Sequence, residues 1–405
     1  MKKKRWQVVP VALSLLLLGC SHAVQPTGVT PSPSPTASGT PKPVASKSPP
    51  VQLSPTPTPA ATATPAPFVA KLLVRSFAGN GETGSWGDEG LALEANLKGP
   101  AGITVDRLGN AYFADYDSHR VKWVDGAGTI HNFAGMGAQG FSGDGGPAVD
   151  AQLHYPFGVT LSPDGEVAIA DFSNARIRVV DKNGIIRTAV GGGIEKSDGT
   201  DATQYSLSGP TQVAYAPDGT MYIDDFLGNK ILKVKEGKVS LLAGDGTAGF
   251  AGDGGQATAG KFNQPSGIAL DSKGNLFVAD YGNHRIRKIA PDGTLSTVAG
   301  SSAFGSTGDG GPAVDAQLNQ PAGVAVDGAG NLLVVDTGNN RIRKIAPDGK
   351  IYSLAGSGLP GFFGENQDAS IAQFDGPLSL GIAPGGRLLV SDYRNKRLRI
   401  LIPSN

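Results

Sequence analysis

The stretch Gly274-Asn275-Leu276-Phe277-Val278-Ala279-Asp280-Tyr281-Gly282-Asn283-His284-Arg285-Ile286-Arg287-Lys288-Ile289 returns as Gly330-Asn331-Leu332-Leu333-Val334-Val335-Asp336-Thr337-Gly338-Asn339-Asn340-Arg341-Ile342-Arg343-Lys344-Ile345. Around the first copy, short apolar runs (268–270, 276–279, 286–290, 295–299) are separated by Ser-Lys-Gly-Asn, Tyr-Gly-Asn and Pro-Asp-Gly. That alternation predicts four strands joined by three tight turns. A helical solenoid would show a 3.6-residue period, which is absent.

The prolines that open the units, Pro100, Pro156, Pro210, Pro265, Pro321 and Pro377, stand 56, 54, 55, 56 and 56 residues apart. Six small sheets that can bury their faces only against one another predict blades set radially around a channel. The sixth unit stops after three strands, at 398–402, while residues 71–79 match the fourth-strand segment 349–356. The expected fold is therefore an all-β, six-bladed propeller of four-stranded blades, closed by an N-terminal strand that completes the last blade. Closure of this kind removes the two edges an open ring would expose.

The recurring text of 274–289 and 330–345 resembles the NHL repeat, and the resemblance runs over about residues 70–402. The connection Gly-Asp-Gly-Gly-Pro-Ala at 143–148 and 308–313 resembles bacterial NHL-repeat proteins and the NHL domain of teneurins. The resemblance implies a six-bladed ring and, most often, binding.

The chain opens Met1-Lys2-Lys3-Lys4-Arg5, continues through an apolar run from Val8 to Leu18 and closes on Leu17-Leu18-Gly19-Cys20. Basic, apolar and small residues in that order read as an export signal, and the run is too short for a permanent membrane span. Its end resembles a bacterial lipobox, which makes Cys20, the one cysteine, the lipidation site and membrane anchor. A single cysteine allows no intramolecular disulfide. Residues 21–67 hold 13 prolines among Ser, Thr and Ala, with only Lys42 and Lys47 charged. Such a linker favours extended chain and reaches on the order of 100 Å. The expected domains are thus a lipoprotein signal peptide (1–19), a lipidated cysteine with a disordered linker (20–67) and the propeller (68–405). Localisation is expected at a bacterial cell envelope, lipid-anchored and facing the periplasm or exterior.

Loss of residues 1–19 removes four basic residues and no acidic ones, leaving 31 basic against 35 acidic. That balance does not attract nucleic acid.

Several positions could carry chemistry. Asp144, Asp253 and Asp309 sit in Gly-Asp-Gly-Gly loops whose N–H groups and carboxylate suit an anion nest or, with carbonyls, calcium. The structural reading makes them sharp turns with Ala148, Ala151 and Leu153 packed beneath, and no cofactor is then expected. Asp115, Asp171, Asp225, Asp280, Asp336 and Asp392 recur five residues before Arg120, Arg176, Lys230, Arg285, Arg341 and Arg397, which reads as a ring of structural ion pairs. The next slot holds Tyr116, Phe172, Phe226, Tyr281, Thr337 and Tyr393, either a stacking platform or packing under the long loops.

The third blade departs most from the pattern. Gln212 replaces a glycine, Asp224 replaces a small residue, Lys230 replaces an arginine, and the preceding loop is short and carries Glu195. Gln212, Asp224, Lys230 and Glu195 are the candidate ligand-binding set. The expected function is an envelope-anchored binding or scaffolding module for an envelope or extracellular protein, peptide or glycan. The alternative is a lyase or lactonase-like hydrolase with metal near the channel, as in propellers of related shape. His119, His131, His154 and His284 lie on turns, outer strands and loops rather than on innermost strands, which argues against that alternative.

Overall fold

The computed structural model describes residues 71–301 and 303–404. The expected export signal, Cys20 and the proline-rich segment lie outside the described residues. Among the described residues every regular element longer than three residues is a strand, and the strands form six antiparallel sheets. No helix among them is long and apolar enough to cross a membrane.

The innermost strands begin at the recurring prolines: Pro100–Val105, Pro156–Leu161, Pro210–Tyr215, Pro265–Leu270, Pro321–Val326 and Pro377–Ile382. Each pairs with a second strand ending in the recurring aspartate, and that strand pairs with a third that starts at the recurring Arg or Lys. The sequence pattern explains the burial: in Leu276–Asp280 every residue but Phe277 is buried, as expected of a strand packed between two neighbouring blades.

The last blade closes as the repeat count requires. Its strands run in the order Gln367–Asp368, Leu72–Ala78, Arg397–Pro403, Leu388–Asp392, Pro377–Ile382. Leu72 pairs with Pro403 and Val74 with Leu401, and the backbone N–H of Ser404 donates to the carbonyl of Lys71 at 2.8 Å. Val74 and Ala78 are wholly buried in the seam.

Three sheets have five strands rather than the expected four. The fifth is a two-residue piece of the long loop that precedes the blade, Gly90–Leu91, Thr200–Asp201 or Gln367–Asp368, laid along the outer strand. In the other three blades a single bridge does the same work: Pro147 to Ile185, Gln256 to Thr294 and Pro312 to Lys350. Every long loop therefore doubles back over the outer edge of its own blade and covers hydrogen-bonding groups that would otherwise be open to pairing.

Because successive strands alternate in direction, all six long loops and all six Asp-containing turns lie on one face of the ring. On the axis at that face, Tyr116, Phe172, Phe226, Tyr281 and Tyr393 are buried and belong to one core cluster with Ala322 and Leu378. Phe226 lies 6.5 Å from Phe172 and 6.2 Å from Tyr281, centroid to centroid. The aromatic slot is thus packing: it plugs the channel beneath the loops instead of offering a platform.

Candidate functional site

Four of the six aspartates after the second strand are ion-paired, but with a different arginine from the one the sequence suggested. Asp171 contacts Arg178 (3.4 Å), Asp280 contacts Arg287 (3.2 Å), Asp336 contacts Arg343 (3.2 Å) and Asp392 contacts Arg399 (3.4 Å). Each partner lies seven residues on, not five. Residues two apart on a strand share a face, so both arginines were eligible. The aspartate turns under the loop, and the arginine one pleat further in is the one that is completely buried.

That guanidinium also reaches the loop above it. Arg178 bonds Asp144, Arg287 bonds Asp253 and Arg343 bonds Asp309 at 2.7–2.8 Å, and Arg399 meets Glu365 at 3.4 Å. In the first blade Lys122 takes the slot and bonds Asp88. The Gly-Asp-Gly-Gly carboxylates are therefore occupied in pinning the loops to buried cations. Among the described residues no group of three or more His, Cys, Asp and Glu converges in a way that could hold a metal ion.

The outer arginines do something else. Arg176, Arg285 and Arg397 lie about 4 Å under the rings of Phe141, Phe250 and Phe362, while Arg120 and Arg341 donate to the carbonyls of Met136 and Ser357. They shape the loops rather than pair with the aspartates.

An asparagine completes the repeated turn. Asn174, Asn283, Asn339 and Asn395 each donate through Nδ2 to the blade's aspartate at 2.8 Å and to a loop carbonyl (Gly140, Gly249, Gly305, Gly361) at 2.6–2.7 Å. Burial pushes Asp171, Asp280 and Asp336 up to about 6 and Asp392 to about 7, opposed by these donors and by the guanidinium.

Blade three lacks both side-chain donors. Gly228 stands in the asparagine slot and Leu232 in the arginine slot. Asp225, 3% exposed, keeps only the backbone N–H groups of Ser208 and Gly209. A cavity of about 350 Å³ opens there, lined by Lys196, Tyr205, Ser208, Asp225, Gly228, Lys230 and Thr247 among others. Burial raises the Asp225 carboxyl, and the charges of Lys196 and Lys230 pull it back down.

The four candidates from the sequence do not converge. Only Lys230 lines this cavity. Glu195 is exposed and holds the loop through its backbone, accepting from Ser206 N–H at 2.6 Å. Asp224 is fully buried and accepts backbone N–H groups from Thr211, Gln212 and, across the blade boundary, Gly267 at 2.6 Å. Burial pushes it to about 7. Gly267 adopts φ +83°, a conformation open to glycine, when it donates that N–H. Asp224 is thus a staple between blades three and four and is not available to a ligand. Gln212 faces the channel, in a separate cavity of about 650 Å³ with Thr160, Arg107, Ser162 and Tyr215, and its amide donates to the Thr160 hydroxyl at 2.9 Å. Sequence reasoning missed that Asp225, like Asp115 in blade one, receives backbone N–H groups and no side-chain donor. The signal was present at Gly228, where blades two, four, five and six carry an asparagine.

The histidines serve the ring too. His119 and His284 accept the N–H of Tyr155 and Gln320 in the next blade through Nδ1 (3.2 and 3.0 Å), the role Asn229 and Asn340 play elsewhere. Burial lowers the affinity of both for a proton, His119 to about 4, as an acceptor Nδ1 requires.

The long loops also carry most of the exposed large apolar side chains, Trp86, Met136, Ile194, Phe304, Leu359 and Phe363 among them.

Family models match two parts of this ring. The NHL repeat model matches residues 262–289 and 318–345, in blades four and five, and the teneurin NHL domain model matches residues 137–199 around blade two. Teneurin-m of Drosophila melanogaster is 31% identical over 257 residues, 57% of this chain and 9% of the fly protein. The chloroplastic protein SUPPRESSOR OF QUENCHING 1 of Arabidopsis thaliana is 30% identical over 328 residues, 75% of this chain and 30% of its own length. The chain therefore spans less than a third of either relative. Among solved structures, an auxiliary nutrient binding protein of Bacteroides thetaiotaomicron superposes with TM-score 0.61 at 14% identity, covering 83% of this chain and 77% of that one. A gluconolactonase of Xanthomonas campestris superposes with TM-score 0.52 at 15% identity, covering 85% and 98%. At such identities the superpositions show the propeller fold alone.

Proposed function

We propose, from the premise that this chain is an NHL-repeat propeller resembling the teneurin NHL domain, that it is an exported lipoprotein held to a membrane through Cys20. On this reading the propeller presents its loop face as a binding or scaffolding surface to an envelope or extracellular protein, peptide or glycan. The observation that carries the binding half is the crown of exposed apolar side chains on the long loops, whose bases are pinned by buried cations. Apolar side chains gathered on one face of a rigid scaffold mark an interaction surface. The anchor rests on the Leu-Leu-Gly-Cys signature and the linker composition.

The enzyme alternative draws on the gluconolactonase and streptogramin lyase propellers among the fold neighbours. The channel cavity is the place for such chemistry, and its lining contains neither histidine nor carboxylate. Proton transfer or metal ligation would need those groups.

Two measurements test the proposal. Metabolic labelling with a fatty acid should mark the wild type and not Cys20→Ala; equal labelling would remove the anchor. Cross-linking in intact envelopes should capture a defined partner set that Trp86→Ser/Ile194→Ser/Phe304→Ser loses. A set unchanged by those three substitutions would remove the loop face as the binding surface.

A further inference from the structure

The blade-three cavity is built from omissions. In blades two, four, five and six the aspartate at this turn receives an asparagine amide and a guanidinium. Gly228 and Leu232 remove both donors at once, and the preceding loop is two residues shorter than the others. A Cβ on Gly228 would collide with Oδ2 of Asp225, so that oxygen occupies room the asparagine holds elsewhere. Oδ1 accepts Ser208 N–H at 2.9 Å and Gly209 N–H at 2.7 Å, whereas Oδ2 has only the long 3.1 Å share of the Ser208 N–H. A carboxylate this deep with an under-used oxygen calls for a charged N–H donor.

The rest of the lining carries two cations and one further carboxylate, Asp245, which is already met by Lys261 at 3.9 Å. Lys196 and Lys230 border the cavity and, among the described residues, neither forms a salt bridge. Ser208 and Thr247 add hydroxyl groups beside them. A buried anion with two ammonium groups nearby matches a guest carrying both charges. A simple anion would meet Asp225, and a simple cation would meet the lysines.

We propose that this cavity binds a small zwitterionic amino acid, its ammonium on Oδ2 of Asp225 in place of the missing asparagine and arginine, and its carboxylate held by Lys196 and Lys230. The volume sits at the small end of ligand sites, which suits a single amino acid rather than a folded partner. This site is separate from the exposed apolar crown and stands or falls independently of it.

The test is isothermal titration of the full-length protein with L-alanine, L-lysine and L-glutamate, beside sulfate and ethylammonium as probes of each half alone. At least one amino acid should bind with Kd of about 1 mM or tighter, and neither half-probe should match it. Gly228→Asn places the asparagine of blades two, four, five and six at this turn and forces the Asp225 carboxylate to move; in protein that a melt shows to be folded, it should weaken binding at least about tenfold. Lys230→Met should weaken it several-fold without changing the melt. Absence of binding by all three amino acids, sulfate binding as tight as theirs, or undiminished binding in Gly228→Asn would each overturn the proposal. Partner capture through the crown is read by a different assay and different variants, so the two failures are distinguishable.

Discussion

Replacing Arg287 with leucine tests how this ring is held together. Arg287 is completely buried, and its guanidinium bonds Asp280 at 3.2 Å, Asp253 at 2.8 Å and the carbonyls of Lys261 and Ala251 at 3.3 and 3.1 Å. Leucine leaves Asp280 buried with two donors, Asn263 N–H and Asn283 Nδ2, and no cation. Removing one partner of a buried pair costs about 3–5 kcal/mol. Arg285 offers the control: half-buried, it donates to the Gly300 carbonyl and stacks under Phe250, so Arg285→Leu should cost about 1 kcal/mol or less. The deficit of Arg287→Leu should also depend on pH. Burial already pushes Asp280 up to about 6. Without Arg287 its pKa rises further, and a folded-state pKa above the unfolded value costs stability as pH rises through it. The variant should therefore be least impaired near pH 5 and most impaired near pH 8. Urea unfolding followed by tryptophan fluorescence measures both effects. A deficit no larger than that of Arg285→Leu, or one flat across this range, would refute the reasoning.

Other expectations follow from the same geometry. Asp224 has a folded-state value near 7 against 3.8 ordinarily, so its contribution is full below about 4 and is lost as pH rises through 7. Asp224→Asn should remove up to about 4 kcal/mol of that slope, visible as a gain relative to wild type between pH 4 and pH 8 in urea melts. In the closing strand, Val74 is buried and Arg75 exposed. Val74→Asp should therefore cost several kcal/mol and Arg75→Asp within about 0.5 kcal/mol, and equal effects would argue against the seam. Because Asp144, Asp253 and Asp309 are bound to arginines, calcium or a chelator should leave Tm unchanged; a clear calcium-dependent rise would contradict that assignment.

The blade count, the strand order and the borrowed closing strand were legible in the sequence because period and turn chemistry are local and repeated six times. The two-residue edge strands were not, since a pair such as Gly90–Leu91 has no periodicity to read. The choice between Arg285 and Arg287 was also hidden: both recur and both face Asp280, and only burial beneath the loop selects the inner one. The loop acid 34 residues earlier, Asp253 for Arg287 and Glu365 for Arg399, was the signal that could have decided it. Blade three was correctly singled out as irregular, but its most conspicuous substitutions, Gln212 and Asp224, went to the channel and a blade junction. The omission at Gly228, visible only as something not there, made the cavity.

The hydrogen bond from Ser404 to Lys71 has a consequence for how the ring could be re-cut. With the first and last described residues already at bonding distance, a short splice joining them could replace the covalent break at the seam. New ends could then be opened in an exposed turn such as Asp271-Ser272-Lys273-Gly274, giving a circular permutant with the same six sheets. The order in which the blades are translated would then be incidental to the ring, which is defined by its pairings and not by where the chain happens to start.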